Sequence, residues 1–460
     1  MPVISASFFL CLLDMAIECN FDRYRHHADP TIIFRHSIRR GTAADEFMNY
    51  QAIVRHPFIV DNFWYGLSSI LLNLLNYAYV LVALHYLSKG DFGAFNALVA
   101  LLTLATVVAK PLQLQVTKTV SQSPRPLLWR HVARIGGFSL KLMGVGLLCL
   151  VLASSALGSM LNVSPGNIVM LGFAMGFLIL AALATAISSG LRRLTFQASL
   201  GLISTVVKLL CAIVLFESGL GVTAGLTGYV AGFALTTVLT LHALKTWERA
   251  TEPLATPEIH NTSVHVLVVA YIFIAAPFSM DQILAQTLSP EISGDYAALV
   301  TIGKLAFFVS APFQVVLYSS LAGSSKPRQQ MNYLLAGLAI ATGSSLLLTA
   351  VLWAGGQGLT DLLLSPVYAS VAGWIVPYSL GICGYVFAYA VVSLAIARSD
   401  PRILVPLSLA TITQTILFLF RHDSLAQLVA NQLACMGLLV VGALGYLVFC
   451  HPPASPATHQ

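Results

Sequence analysis

Charged side chains are what this chain has least of: 9% of its 460 residues, against roughly a quarter in a soluble domain. So little charge cannot solvate a globular surface of this size, which excludes a soluble enzyme. The formal charge of +6 is spread over short loops, so it does not point to nucleic acid either. Paired cysteine spacing is also lacking among the seven cysteines, and with it any sign of a disulfide framework or metal site. The chain has no phosphate-binding glycine loop, no clustered Asp-x-Asp and no Ser/His/Asp arrangement in a loop, so nothing marks it as an enzyme or supplies a cofactor site.

Hydrophobic residues make up 57% of the chain, and mean hydropathy is +0.82. A spanning helix needs about 20 consecutive apolar residues. Apolar runs between polar breaks give twelve such spans, at 63–87, 92–116, 133–155, 166–189, 196–216, 220–243, 263–287, 296–320, 331–355, 372–396, 403–420 and 426–449. With both ends placed in the cytoplasm, 18 of the 24 Lys and Arg fall on that side, two fall outside and four lie within spans. The alternation follows the positive-inside rule and sets the expected orientation in a bacterial inner membrane.

The segment ahead of the first span is polar and basic. It reads either as an extended cytoplasmic tail, 1–60, or as residues preceding a translation start at Met48. The remaining expected organisation is a bundle over 61–243, a cytoplasmic linker over 244–262 with Pro253 and Pro257, a second bundle over 263–449, and a short tail over 450–460.

An offset of 201 residues aligns two stretches without gaps. Leu87-Ser88 matches Leu288-Ser289, Gly93 matches Gly294, and Ala97-Leu98-Val99 matches Ala298-Leu299-Val300. Leu104-Ala105, Val108, Pro111 and Gln113 match Leu305-Ala306, Val309, Pro312 and Gln314, with Phe95 opposite Tyr296. The copies cover spans 1–2 and 7–8 in the same orientation. The expected fold is therefore an all-α integral membrane protein whose twelve helices form two six-helix bundles, related by a parallel pseudo-two-fold repeat.

Ionisable groups inside a bilayer are costly, which makes each a candidate site. Lys110, beside Pro111, is near enough to the cytoplasmic surface to reach head groups. Lys141 and Lys208 lie about 12 and 18 Å deep at 1.5 Å per residue, and a hydrated central cavity is the expected setting for both. Asp281 and Lys304 sit at matching depth in neighbouring antiparallel spans. They read as a structural ion pair, as a carboxylate that binds H+ or Na+ in alternation with the lysine, or as a polar wall for substrate. Four lysines against one aspartate make a cationic interior suited to an anionic solute such as a phosphate or diphosphate. Asn73, Asn76, Tyr77 and Tyr79 in span 1 add hydrogen-bonding groups, chiefly as interhelical glue. Arg192 and Arg193, at the inner turn between spans 4 and 5, either meet lipid phosphates or set topology.

Several stretches carry a resemblance: LSKGDFGAF (Leu87 to Phe95), SGLRRL (Ser189 to Leu194), MDQILAQTLSP (Met280 to Pro290) with GDYAA (Gly294 to Ala298), and Lys208 ahead of Gly219-Leu220-Gly221. Over roughly residues 60 to 450 the chain resembles the polysaccharide-biosynthesis flippases, of the O-antigen or teichoic-acid type, in the multidrug/oligosaccharidyl-lipid/polysaccharide exporter superfamily. The resemblance implies a V-shaped cavity between two bundles that works by alternating access. It also implies an undecaprenyl-diphosphate-linked saccharide as cargo, with membrane lipids and glycan-assembly enzymes as partners. A cation-coupled multidrug exporter of the same superfamily and a membrane glycan polymerase or ligase are the competing expectations.

Overall fold

The computed structural model describes residues 57–122, 125–191, 193–247, 264–322, 324, 327–364 and 366–449. Most of the expected tail 1–60, much of the linker 244–262 and all of the tail 450–460 lie outside the described residues. A backbone surrounded by lipid must satisfy its own hydrogen bonds. Among the described residues fourteen α-helices do so: α1 (Pro57–Tyr86), α2 (Lys89–Gln122), α3 (Arg125–Leu152), α4 (Ser154–Leu161), α5 (Pro165–Gly190), α6 (Leu194–Glu217), α7 (Gly221–Trp247), α8 (Val264–Leu288), α9 (Pro290–Gly303), α10 (Leu305–Ala322), α11 (Pro327–Leu363), α12 (Ala372–Ala397), α13 (Leu404–Phe420) and α14 (Leu425–Phe449).

The pairs α3/α4 and α9/α10 are each bent, by 64° and 42°. Counting each pair once leaves twelve helical segments in the expected order; among the described residues eleven of them are long and apolar enough to cross a membrane, and α1 contributes a shorter apolar stretch, Leu71–Tyr86. Exposed side chains such as Trp353, Val441 and Phe449 cover the outside, an apolar surface that suits lipid rather than water. The protein is a multi-pass membrane protein. Its helix ends divide into an arginine-rich face, with Arg193, Arg328, Arg398 and Arg402, and an arginine-poor face with the turns at 87–88 and 289.

Local chemistry ends the helices where the polar breaks predict. Ser164 caps α5 by accepting from Asn167 N–H, with Pro165 at the first helical position. Asn162 closes α4 in the left-handed conformation. Ser88 and Asp91 form a reciprocal cap on α2: the Ser88 hydroxyl lies 2.7 Å from Asp91 Oδ2 and accepts from Asp91 N–H at 3.2 Å.

Packing repeats between the halves. In the first bundle α1 packs on α6, α6 on α7, α5 on α7, α2 on α5 and α3 on α5. In the second, α8 packs on α13, α13 on α14, α12 on α14, α9/α10 on α12 and α11 on α12. Each contact in the first set has its counterpart six spans later. The bundles meet along α2, which lies against α8 and α9. At that seam the matched glycines face each other: a Cβ on Gly93 would lie 2.9 Å from Gly294 N, and one on Gly294 would collide with the Lys89 carbonyl. The pseudo-two-fold axis passes close to this pair, which explains why both copies carry glycine there.

Candidate functional site: two buried lysines in unlike settings

Lys208 rises from the middle of α6 into the first bundle and is 5% exposed. Its Nζ donates to Asn76 Oδ1 at 2.5 Å. Asn76 is held in turn by its own Nδ2, which donates to the Leu72 carbonyl at 2.9 Å. The ammonium also sits over two aromatic faces, 4.3 Å from the Tyr79 ring centre and 4.4 Å from that of Tyr229. Those rings are packed edge to face at 5.1 Å, and Tyr79 donates to the Gly225 carbonyl, so the platform is braced. Among the described residues no carboxylate pairs with Lys208.

Lys208 opens onto a cavity of about 390 Å³, within the range of small-molecule sites. Its polar lining includes Lys110, Gln113, Gln197, Thr185, Ser204 and Thr236, and no carboxylate is among the described lining residues. All of these belong to the first bundle, in its arginine-rich half. The place has the makings of an anion site: one partly desolvated cation, a second nearby, and hydroxyl and amide donors.

Lys304 occupies the break between α9 and α10, where Gly303 lets the chain press against the Tyr378 ring. Its Nζ lies 3.4 Å from Asp281 Oδ1, donates to the Phe278 carbonyl and rests 4.3 Å from the Phe278 ring centre. Asp281 is fully buried, and its other oxygen accepts from Tyr296 at 3.1 Å and Tyr378 at 2.9 Å. Four groups thus neutralise and satisfy one another.

Pro277 lies one turn away inside α8, and its missing N–H disturbs the ladder there. Side chains from other spans take up carbonyls around it. Gln414 and Gln432 donate to Pro277 O at 3.0 and 2.8 Å, and Tyr385 donates to Ile274 O at 3.0 Å. In the second bundle the buried lysine is thus part of a polar hub.

The structure therefore brings Asp281 and Lys304 together and places Lys208 in a cavity, but it does not add Lys141. That residue is exposed on α3, as are Phe138, Leu140, Leu142 and Val145, and it is not among the residues that line this cavity. Depth along the helix was readable; rotation about its axis was not. Lys110, expected near the surface, is exposed and also borders the cavity. Arg192 lies outside the described residues, while Arg193 precedes α6 with its backbone N–H donating to Ser188 O at 2.9 Å.

Sequence reasoning missed Tyr229, Tyr296 and Tyr378 as partners of these charges. For Tyr296 a signal existed. At the 201-residue offset, Asp281 and Tyr296 stand where the first half has Val80 and Phe95, so carboxylate and hydroxyl enter together.

Comparison by sequence finds no matching family model and no matching curated protein. Comparison by structure does find similar folds. A multidrug resistance MATE family transporter of the MOP superfamily, in its inward-facing conformation, superposes with a TM-score of 0.64 at 12% identity, covering 82% of this chain and 93% of that one. The lipid II flippase MurJ, in an inward closed conformation, gives 0.62 at 11% identity over 85% and 87%. The chain has their fold. The MATE multidrug transporter DinF-BH gives 0.59 at 16% identity over 89% of this chain and 97% of that one. These likenesses extend over nearly the whole twelve-helix architecture and both bundles.

Proposed function

We propose that this protein is an alternating-access flippase or exporter for an anionic, lipid-linked saccharide precursor, and that Lys208 receives its phosphate or diphosphate. The observation that carries the reading is the cavity: a buried ammonium held by an amide and two aromatic rings, facing donors and no described carboxylate. An incoming anion would replace Asn76 as the principal partner of Lys208 while the rings keep the ammonium in place. At about 390 Å³ the cavity suits a charged head group; a lipid tail would remain outside the bundle. Lys110 stands nearer the arginine-rich face as a first cation, with Arg193 at that face; together with its sequence neighbour Arg192 it is assigned to lipid phosphates.

On this reading the arginine-rich face is cytoplasmic, the membrane is a bacterial inner membrane, and the cargo is of the undecaprenyl-diphosphate type handed over by glycan-assembly enzymes. Asp281 serves as the fixed counter-ion of Lys304, since its oxygens are already engaged by Lys304 and two tyrosines.

Multidrug export is the second reading, and the MATE-like fold supports it equally. Cavity charge favours the first, because a cationic drug would meet Lys208 and Lys110 without a described counter-charge. Reconstitution into vesicles separates them. A fluorescent polyprenyl-diphosphate saccharide should change leaflets in the presence of the protein, while a cationic dye should not be moved. Dye transport without lipid movement would replace the first reading by the second.

A further inference from the structure

We propose that the arginine-poor face carries a two-armed clasp between the bundles, in which the bent ends of spans 3 and 9 each hold the opposite bundle and Lys89–Asp295 is the lock between them. It rests on the alternating-access reading above, and concerns where the closed side opens.

The arms occupy equivalent places. Span 3 breaks after Leu152 and continues as α4, turned by 64°. Span 9 breaks at Gly356, whose φ of 49° and ψ of −137° interrupt α11. At the 201-residue offset Gly356 corresponds to Ser155, one residue past the start of α4. Glycine suits that backbone, since its φ is positive.

Each bend delivers a group across the seam. The last residue of α4, Leu161, has a carbonyl with no helical donor ahead of it. It accepts from Gln286 Nε2 of α8 at 3.0 Å. Beyond α11, the 3₁₀ turn Pro366–Val371 carries Tyr368 to the first bundle. That ring packs edge-on against Phe92 at 6.2 Å and lies 5.4 Å beneath Lys89 Nζ. Between the arms, Lys89 Nζ meets Asp295 Oδ1 at 2.8 Å, and Ser370 Oγ lies 3.4 Å from the same oxygen. Gly93 and Gly294 touch at the centre.

Burial separates this ion pair from the one at Asp281. Lys89 and Asp295 side chains are 35% and 18% exposed, whereas those of Lys304 and Asp281 are 5% and 0% exposed. A pair that water already reaches can part without stranding a buried charge; a fully buried pair cannot. The former suits a contact made and broken in each cycle.

The test is the accessibility of the cavity from each face of the membrane. In the full chain with native cysteines replaced, Ser204→Cys in the cavity is the reporter, read with a membrane-impermeant maleimide. Gly294→Ala puts a methyl group into the Lys89 carbonyl, so the bundles must part there. Labelling from the arginine-poor face should rise at least ten-fold; the milder Lys89→Ala should raise it about three-fold. A Gly93→Cys/Ser293→Cys pair should form a disulfide on mild oxidation and block labelling from that face until reduced. Unchanged labelling in both Gly294→Ala and Lys89→Ala, in protein that still elutes as a single folded species, would overturn the clasp. Increased labelling supports it even if no saccharide-lipid moves, in which case the cargo reading fails alone.

Discussion

Among the described residues each bundle carries one buried lysine, and the two bundles treat it in opposite ways. In the first bundle Lys208 keeps its charge available, held by Asn76 and two aromatic rings above a cavity. In the second, Lys304 spends its charge on Asp281 inside a satisfied hub. The 201-residue repeat makes the contrast sharp. Asn76 corresponds to Pro277, Val80 to Asp281, Phe95 to Tyr296 and Thr103 to Lys304, while the position matching Lys208 is Leu409. One copy of a shared architecture has become a polar framework; the other has kept an open charged site.

That difference can be broken in the hub first, where the largest effect is expected. Lys304→Met leaves Asp281 buried without its cation, a change that costs about 3–5 kcal/mol in comparable pairs. Thermal unfolding in detergent should show a marked drop in midpoint, with most of it restored in the double variant Lys304→Met/Asp281→Asn. Equal destabilisation in the single and double variants would mean that the pair does not hold the bundle together.

Lys208→Ala should behave in the opposite sense. Cargo movement should fall at least ten-fold, while the unfolding midpoint stays close to that of the parent, because the lost ammonium has no described charge partner. A large loss of stability with unimpaired movement would exchange the roles of the two lysines. Tyr229→Leu removes one face of the cation platform, worth about 0.5–2 kcal/mol, and should weaken cargo affinity several-fold with little effect on the maximal rate. Initial rates across a cargo titration distinguish the two.

The smallest effect is expected at Lys141. Replacement by Leu on an exposed apolar face should leave movement and midpoint within error of the parent. A transport defect there would place Lys141 in the path in another state of the cycle.

Much of the architecture was legible beforehand, for identifiable reasons. Span boundaries follow from the length of an apolar run and from caps such as Ser164-Pro165, so α5, α6 and α14 begin and end within two residues of expectation. The repeat was legible because Gly93 and Gly294 touch, which keeps both small. The Asp281–Lys304 pair could be anticipated from depth alone, since the two spans are joined by a turn of one residue between α8 and α9.

Rotation about a helix axis was not legible in this way. Lys110, Lys141 and Lys208 all lie in strongly apolar helices, and their sequence neighbours do not say which side faces a partner. Lys208 points inward because Gly228 and Gly232 let α7 approach the backbone of α6 closely, with a Cβ on Gly228 falling 2.8 Å from the Lys208 carbonyl. Tyr229 lies beside that approach, and only the packed structure brings its ring under the ammonium. The bend at Ala153 was missed because apolar residues run through it, whereas at Gly356 the apolar run stops and the surprise is that helix continues beyond it to Leu363.

The most direct test of the contrast is leaflet translocation of a polyprenyl-diphosphate saccharide by reconstituted protein, measured side by side for the parent, Lys208→Ala and Lys208→Arg. Movement should be lost in Lys208→Ala and at least partly retained in Lys208→Arg, where the charge remains. Equal movement in the parent and Lys208→Ala would contradict the claim that the first bundle reads its cargo through that charge.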